Sequence, residues 1–338
     1  MAAKVKAKNE CLRQGLVLGK FMPIHLGHMA LVDFALQQCD ELIILLCFHK
    51  KEPIAGSLRT FWIEQIYSAN PRINITAFEY DPNQLSDSSE SSITDSFQWA
   101  EVIKTLFPDL KILFSSESYG KYLADFLKIQ HLYFDQKRSL FHVSSSKIRN
   151  QPSKYWDFIA PVARPYFVKK IAIVGSESTG KSTLTENLAR YYKTLFVAEA
   201  AREIIGHANE CTYDDLKRIA AKHASSIIEK QNFANRFLFI DTEITITKSY
   251  SVFLFNRELE TEEWMEKANC CDLYIFLEPD CPHVQDGTRL EEREKLRLDF
   301  FHREQFKKAE INYVPVAGNW NERFTLACKL IDESFLSP

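Results

Sequence analysis

The chain has 338 residues, of which 46% are hydrophobic and 26% are charged, so it is long enough to form two hydrophobic cores. Its formal net charge of −3 gives no general attraction to nucleic acid, and the basic start at residues 1–8 is interpreted as a short solvated tail. Composition therefore favours an ordinary two-domain protein without a nucleic-acid partner.

The sequence also shows no targeting segment and no cysteine pattern typical of disulfide or zinc sites. The start has no apolar segment of the kind found in signal peptides, and the longest apolar runs are far too short to span a bilayer. Eight cysteines without a C-x-x-C pair are interpreted as reduced thiols and not as a disulfide or zinc framework. We expect a cytoplasmic protein with no membrane insertion, and the sequence is compatible with a homo-oligomer.

The first predicted unit is a strand at residues 15–19, a turn with two histidines and a helix over 29–39. This order opens a dinucleotide-type α/β fold, in which ligands sit at the carboxyl ends of strands. His25 and His28 are three residues apart, so both imidazoles can point at a phosphate over the helix N-terminus. Such a pair suits nucleotidyl transfer, which needs donors that stabilise charge on the α-phosphate. A zinc site and ordinary capping histidines are the alternatives.

Three further side chains in this half are candidates for substrate contact. Arg59 and Trp62 share one face of a predicted helix, where an arginine beside an aromatic ring can hold a phosphate and stack a flat ring. Trp99, on the next predicted helix, can cover a substrate ring. The alternatives are a surface Arg59, a core Trp62 and a half-exposed packing Trp99.

A serine-rich segment, Ser144-Ser145-Ser146, precedes Arg149 near the end of the first half. Ser146 is predicted to cap a helix, with its hydroxyl and the neighbouring N–H groups available to a phosphate and Arg149 one turn later. A plain serine-capped helix is the alternative.

The second half opens on a phosphate-binding motif. An apolar run at 167–174 leads into Gly175-Ser-Glu-Ser-Thr-Gly-Lys-Ser-Thr183, and a helix is predicted to follow. This is G-x-x-x-x-G-K-[ST] between a buried strand and a helix, the context in which successive N–H groups face a polyphosphate. Lys181 is expected to reach the β- and γ-phosphates. The residues predicted to bind ATP here are Gly175, Ser178, Thr179, Gly180, Ser182 and Thr183.

Two strand ends behind this motif carry acidic residues. The strand at 194–198 ends in Glu199, followed by Arg202, so a carboxylate and a guanidinium are predicted to face the γ-phosphate and the acceptor hydroxyl. The strand at 237–240 ends in Asp241, the expected metal-side carboxylate beside Ser182. A surface helix start and a turn cap, respectively, are the alternatives.

Arg289, Arg293 and Arg297 are four residues apart and share one helical face. In small-molecule kinases an arginine-bearing lid closes over the phosphates. The short Asp286-Gly-Thr-Arg289 turn resembles such kinases, and this resemblance favours Arg289 as the lid residue. A charged solvated helix is the generic alternative.

The motifs of the first half resemble those of a known superfamily. His25-x-Gly27-His28 lies in a Gly-x-Phe-x-Pro-x-His-x-Gly-His pattern, and Ser144-Ser145-Ser146-x-Ile148-Arg149 follows near the end of the domain. Together they resemble the nucleotidylyltransferase superfamily of adenylyl- and cytidylyltransferases. With Gly19-Lys20-Phe21 at the start, Ser116-Glu117-x-Tyr119-Gly120 between and the P-loop behind, the chain resembles the NadR-type bifunctional enzymes from residue 14 to 335.

The chain departs from this pattern in two places. Some members carry an N-terminal helix-turn-helix repressor domain, which a tail of about fourteen residues is too short to hold. Ser146 stands where threonine is common, which keeps the hydroxyl.

The resemblance implies two α/β domains, both with parallel sheets. A Rossmann-like nucleotidylyltransferase domain is predicted at 15–158 after the tail 1–14, and a P-loop kinase domain at 168–338 after a connection at 159–167. The implied activities are a nicotinamide riboside kinase in the second domain and a nicotinamide mononucleotide adenylyltransferase in the first. Each step uses ATP with Mg²⁺, and the second releases NAD and pyrophosphate.

The resemblance also assigns residues. His25 and His28 stabilise the transition state, with Arg149 across the triphosphate. The residues implied to bind ATP in the first domain are Gly19, Lys20, Phe21, Ser144, Ser145 and Ser146. The implied catalytic residues of the second domain are Lys181, Glu199, Asp241 and Arg289, and the implied substrate contacts of the whole chain are Arg59, Trp62, Trp99 and Arg202.

Two rival functions are compatible with the same motifs. The first is a nucleoside kinase fused to a nucleotidylyltransferase of other specificity, because phosphate-binding motifs leave the base unspecified. The second is a nucleotide-sensing regulator without turnover.

Overall fold

The computed structural model describes residues 12–85, 93–205, 211–280 and 292–336. The chain divides into two compact units, residues 1–163 and 164–338. The division between the units lies inside the predicted connection at 159–167. The bounds of the two functional domains, 15–158 and 168–338, stay predictions. Within the described ranges, no helix has both the length and the apolar character needed to cross a membrane.

The first unit contains a parallel five-stranded sheet in the order β3-β2-β1-β4-β5. The central strands are almost continuously apolar because a parallel sheet is covered on both faces, and six successive residues of β2 are buried. The strands are β1 Gln14–Gly19, β2 Glu41–Phe48, β3 Ile73–Glu79, β4 Leu110–Ser115 and β5 Gln130–Tyr133. The helices are α1 Leu26–Leu36, α2 Gly56–Tyr67, α3 Ile93–Leu106, α4 Tyr119–Leu127 and α5 Ser145–Asn150, followed by a 3₁₀ turn at Trp156–Phe158. A second 3₁₀ turn, Pro161–Phe167, contains the residues at which the chain passes from the first unit to the second.

The chain order reverses at β1 in this sheet. β2 and β3 lie on one side of β1, and β4 and β5 lie on the other. Such a switch point opens a crevice at the carboxyl ends of the strands, where α/β folds bind ligands. The turn that carries His25 and His28 leaves β1 at this point.

The second unit contains another parallel sheet, in the order β10-β9-β6-β8-β7. Its first strand, β6, is again central, so the loop after β6 lies between the carboxyl ends of β8 and β9. The strands are β6 Lys169–Gly175, β7 Leu195–Val197, β8 Phe237–Asp241, β9 Leu273–Leu277 and β10 Val314–Val316. The helices are α6 Lys181–Tyr191, α7 Ala201–Ile204, α8 Tyr213–Gln231, α9 Ile244–Phe255, α10 Glu263–Asn269, α11 Glu292–Lys308 and α12 Trp320–Phe335.

The predicted fold class is confirmed, since both sheets are parallel and carry helical connections. Two local predictions differ. Helix α1 begins at Leu26, three residues earlier than predicted, because His25 caps it. The cap of α5 is Ser144 and not Ser146: Ser144 has extended backbone angles, and its side chain accepts from the Lys147 N–H.

Candidate functional site

The turn after β1 places the two predicted histidines in face-to-face contact. His25 is the N-cap of α1, and its Nδ1 accepts a hydrogen bond from the His28 N–H at 3.4 Å. The two rings stack with centroids 3.7 Å apart, and the Phe21 ring meets His28 edge-on at 5.0 Å. Because Nδ1 of His25 is an acceptor, its neutral ring carries the proton on Nε2, which is left as a donor.

Both imidazoles are neutral at physiological pH. Burial lowers the pKa of His25 to about 3, with a smaller contribution from the Arg138 guanidinium. Burial also holds the pKa of His28 well below its usual range, and the charges of His25 and Arg138 act in the same direction. The pair therefore offers hydrogen-bond donors at a helix N-terminus without a fixed positive charge.

The second motif of this unit folds back onto the first. The Ser145 hydroxyl donates to the carbonyl of Pro23 at 3.0 Å, and the Arg149 guanidinium donates to the carbonyl of Met22. Arg149 also donates to the Ser146 hydroxyl at 3.2 Å. Two segments more than 120 residues apart in sequence thus form one edge, with the N-termini of α1 and α5 side by side.

A largely buried ion-pair cluster contacts the start of the histidine turn at Lys20. Glu52, with a side chain 3% exposed, pairs with Lys20 at 2.7 Å and with Arg59. Arg59 is fully buried and also donates to the carbonyl of Lys20 at 2.7 Å. The described contacts of Arg59 thus fix the backbone that leaves Gly19 at the end of β1, and its contact with a substrate stays a prediction.

The two tryptophans lie in the core of this unit. Trp62 and Trp99 are both buried, and Trp99 packs edge-on against Tyr80 and Phe78. Their predicted contacts with a substrate ring also stay predictions.

The P-loop has the backbone conformation that its sequence predicts. Gly175, Ser178 and Gly180 have positive φ angles, and α6 begins at Lys181. Lys181, Ser182 and Thr183 form the first turn of α6, where N–H groups lack intrahelical partners. Within the loop, the Thr179 hydroxyl and the Lys181 amine donate to the Ser176 carbonyl at 2.8 and 2.9 Å. The result is a cradle of N–H groups with a lysine at its rim.

Gly175 is a position that only glycine fits. Its φ is +134°, and an added Cβ would lie 2.6 Å from the carbonyl oxygen of Leu277 on the paired strand β9. We predict that Gly175→Ala lowers the free energy of unfolding of the second unit by about 3 kcal/mol. Urea denaturation measures this change. Gly19→Ala is the control, because its added Cβ would lie 3.6 Å from the Phe21 ring, an ordinary van der Waals distance. An equal loss of unfolding free energy in Gly19→Ala would contradict the prediction.

Asp241 stands beside the P-loop with the other predicted kinase residues. It is 2% exposed at the end of β8, and burial raises its pKa against the opposing effects of Lys181 and of a hydrogen bond with Ser182. Arg202 donates to the Ser182 hydroxyl at 3.0 Å and to Glu199 at 3.3 Å. The structure thus gathers five predicted residues from three segments at one edge of the sheet.

The oxygen donors at this edge fit Mg²⁺. A carboxylate and a hydroxyl are hard ligands, and Mg²⁺ usually takes one or two protein oxygens and fills its other positions with phosphate and water. Within the described ranges, no group of three or more His, Cys, Asp or Glu side chains forms a metal cage. Ser182 and Asp241 therefore fit an ion that arrives with a nucleotide.

The predicted lid is only partly described. Arg289 lies outside the described residues. Arg293 and Arg297 lie on α11 and line an open groove with Leu296, Phe300 and Phe301.

Comparison with known proteins links both units to named families. The sequence matches the cytidylyltransferase-like family over residues 16–151 and the AAA domain family over residues 170–323. It is 29% identical over 340 residues to the trifunctional NAD biosynthesis/regulator protein NadR of Escherichia coli, covering 94% of this chain and 82% of the relative. The NadR of Salmonella typhimurium is also 29% identical, with the same coverage. The chain is therefore similar to NadR proteins along most of its length.

Solved structures agree on the fold of this chain. A NadR protein in complex with NR superposes with a TM-score of 0.75 at 19% identity, over 96% of this chain and 97% of the other. A NadR protein in complex with NAD and AMP-PNP gives a TM-score of 0.74 at 20% identity, over 97% of each chain. The resemblance predicted from the motifs is confirmed.

The buried histidines lead us to predict that the folded protein loses stability in acid. Burial lowers the pKa of His302 on α11 to about 3, as it does for His25, so each is neutral when folded and binds a proton when unfolded below pH 6.5. The contribution of each histidine to the free energy of unfolding is fully present above about pH 6.5 and is lost as the pH falls toward 3. By pH 5 the loss is about 2 kcal/mol per histidine. Urea unfolding at pH 7.5 and 5.0 measures it. His302→Gln should show a smaller pH dependence, and an unchanged one would contradict the assignment.

Proposed function

We propose that this chain is a bifunctional enzyme of NAD biosynthesis and salvage. The second unit phosphorylates nicotinamide riboside with ATP, and the first adenylylates the resulting mononucleotide to NAD with release of pyrophosphate. One observation carries the proposal: a stacked histidine pair and a P-loop occur in one chain, each at the switch point of its own parallel sheet. The NadR relatives, which align with both units, support the substrates.

In the first unit, a phosphate oxygen of the mononucleotide attacks the α-phosphorus of ATP and pyrophosphate leaves. The neutral rings of His25 and His28 donate hydrogen bonds to the charge that develops on the α-phosphate. Arg149, anchored on the Met22 carbonyl, places a positive charge along the leaving pyrophosphate. No protein side chain becomes covalently attached.

In the second unit, the 5′-hydroxyl of the riboside attacks the γ-phosphorus of ATP, ADP leaves, and the hydroxyl proton passes to a carboxylate base. Lys181 and the P-loop N–H groups hold the β- and γ-phosphates. Ser182 and Asp241 would hold Mg²⁺, which neutralises charge on those phosphates when bound. Glu199 is the proposed base, because Arg202 ties it to this edge, whereas Glu203 is largely exposed beside Lys222.

The remaining roles follow from this scheme. Small molecules are the proposed partners, and the cytoplasm is the proposed location because both steps consume ATP. The absence of a nucleic-acid partner and the compatibility with a homo-oligomer stay predictions.

Separate assays of the two steps test the proposal. Purified protein with Mg·ATP should form NAD and pyrophosphate from the mononucleotide, and should form the mononucleotide from nicotinamide riboside. A panel of uridine, cytidine and thymidine tests the rival kinase specificity, and CTP tests the rival transferase. Faster turnover of a rival substrate would replace the proposed one. Nucleotide binding without any turnover would favour a regulator.

A further inference from the structure

Ser176, the residue after the first P-loop glycine, is hydrogen-bonded to a side chain from outside the motif. Ser176 is fully buried, and its hydroxyl donates to Oδ1 of Asp299 on α11 at 2.6 Å. The carbonyl of the same residue accepts from both Lys181 and Thr179. Asp299 therefore fixes the residue on which the lysine amine rests.

Arg303, one turn further along α11, holds Asp299 in place. Its Nε donates to Oδ2 of Asp299 at 2.7 Å, and its Nη2 donates to Glu278 at the end of β9 at 2.8 Å. The guanidinium also lies over the Phe276 ring, 4.4 Å from the centroid. These contacts neutralise the Asp299 charge and orient both carboxylate oxygens. An unpaired carboxylate here would repel the phosphates of ATP.

We propose that Asp299 is a positioning residue for ATP, which rests on the proposed kinase function of the second unit. Asp299 acts through Ser176 and does not touch the nucleotide. It keeps the start of the P-loop in the conformation that aims its N–H groups at phosphate, so binding does not have to order the loop. The link joins the P-loop to α11, the helix that follows the predicted lid arginine Arg289.

A double-mutant cycle tests the link. We expect Ser176→Ala and Asp299→Ala each to raise the KM for ATP in the kinase reaction about 10-fold, because each removes the same hydrogen bond to a charged group. The double variant should also show about 10-fold, and not the 100-fold of independent effects. The NAD-forming activity of the first unit should stay unchanged in all three variants.

Asp332→Ala is the matched control. Its carboxylate accepts from the Tyr192 hydroxyl at 2.7 Å at the opposite end of α6 from the P-loop. This variant should lower the melting temperature but keep the KM for ATP within about twofold. Should Asp299→Ala not fold, Asp299→Val replaces it, since it keeps a branched side chain at this position but has no oxygen to accept the hydrogen bond from Ser176.

Unchanged KM values in both single variants, or an additive double variant, would overturn the proposal. If the wild-type protein phosphorylates no nicotinamide riboside, the cycle is measured by equilibrium ATP binding instead. Binding at the P-loop is then defined as the ATP binding that is lost in Lys181→Ala. Coupling between Ser176 and Asp299 there would support the positioning role and reject only the kinase assignment. Independent effects there would reject both.

Discussion

His28→Ala is expected to lower the rate of NAD formation from nicotinamide mononucleotide about 100- to 1,000-fold. The ring of His28 stacks on His25 at the start of α1, so its loss removes a hydrogen-bond donor aimed at the α-phosphate and leaves His25 without its ring partner. Because the donors serve the transition state, the loss should appear mainly in kcat and less in the KM for ATP. Steady-state release of pyrophosphate measures both constants.

The kinase reaction of the same His28→Ala protein is the internal control. It depends on groups of the second unit only and should keep its wild-type rate. His25→Ala should resemble His28→Ala, and the double variant should be little worse than either, because the two rings act as one stacked pair. Wild-type NAD formation in His28→Ala would remove the histidine pair from the mechanism.

Lys181→Ala is expected to lower the phosphorylation of nicotinamide riboside about 1,000-fold. Lys181 is the first residue of α6. Its amine is expected to stabilise the negative charge on the γ-phosphate while that phosphate is transferred. Its amine donates to the Ser176 carbonyl at 2.9 Å, a neutral partner that a phosphate oxygen can replace. Formation of mononucleotide from riboside, followed by chromatography, measures the loss.

Lys169→Ala is the matched control for this variant. Lys169 lies at the opposite end of β6 and pairs with Asp272 on the surface at 2.7 Å. Its removal should change kinase activity less than twofold, and both lysine variants should keep NAD formation from the mononucleotide. Equal loss of the two activities in Lys181→Ala would instead indicate misfolding or one shared site.

Local motifs were predictable because backbone geometry sets their spacing. The P-loop needs positive φ angles at its glycines and a helix that starts at the lysine, and these requirements leave a readable pattern. The histidine turn is similar, since a cap and a residue three positions later share one helical face. For both motifs, the sequence therefore predicted the strand, the turn and the helix together.

Other features had no local signal. Three consecutive serines can each cap a helix, and only the extended backbone at Ser144 decides between them. The edge strands β3 and β5 are half-exposed and mixed in polarity, so no strand was predicted there. The contacts of Glu52 with Lys20 and of Asp299 with Ser176 join distant segments, and each acidic residue alone looks like part of a solvated surface.

The two chemistries fit each other. A kinase makes a phosphomonoester, and an adenylyltransferase needs a phosphate as its nucleophile, so the product of the second unit is the substrate of the first. The phosphate on the nicotinamide side of NAD should therefore come from the γ-phosphate of ATP. The phosphate on the adenosine side should come from the α-phosphate.

Isotope labelling tests this order of reactions most directly. Purified protein is incubated with nicotinamide riboside and Mg·ATP that carries label at either the γ- or the α-phosphate, and the NAD formed is isolated. We predict that both labels enter NAD, and that only the α label enters when the mononucleotide replaces the riboside. NAD that carries no γ label, or no NAD from the riboside at all, would contradict the account.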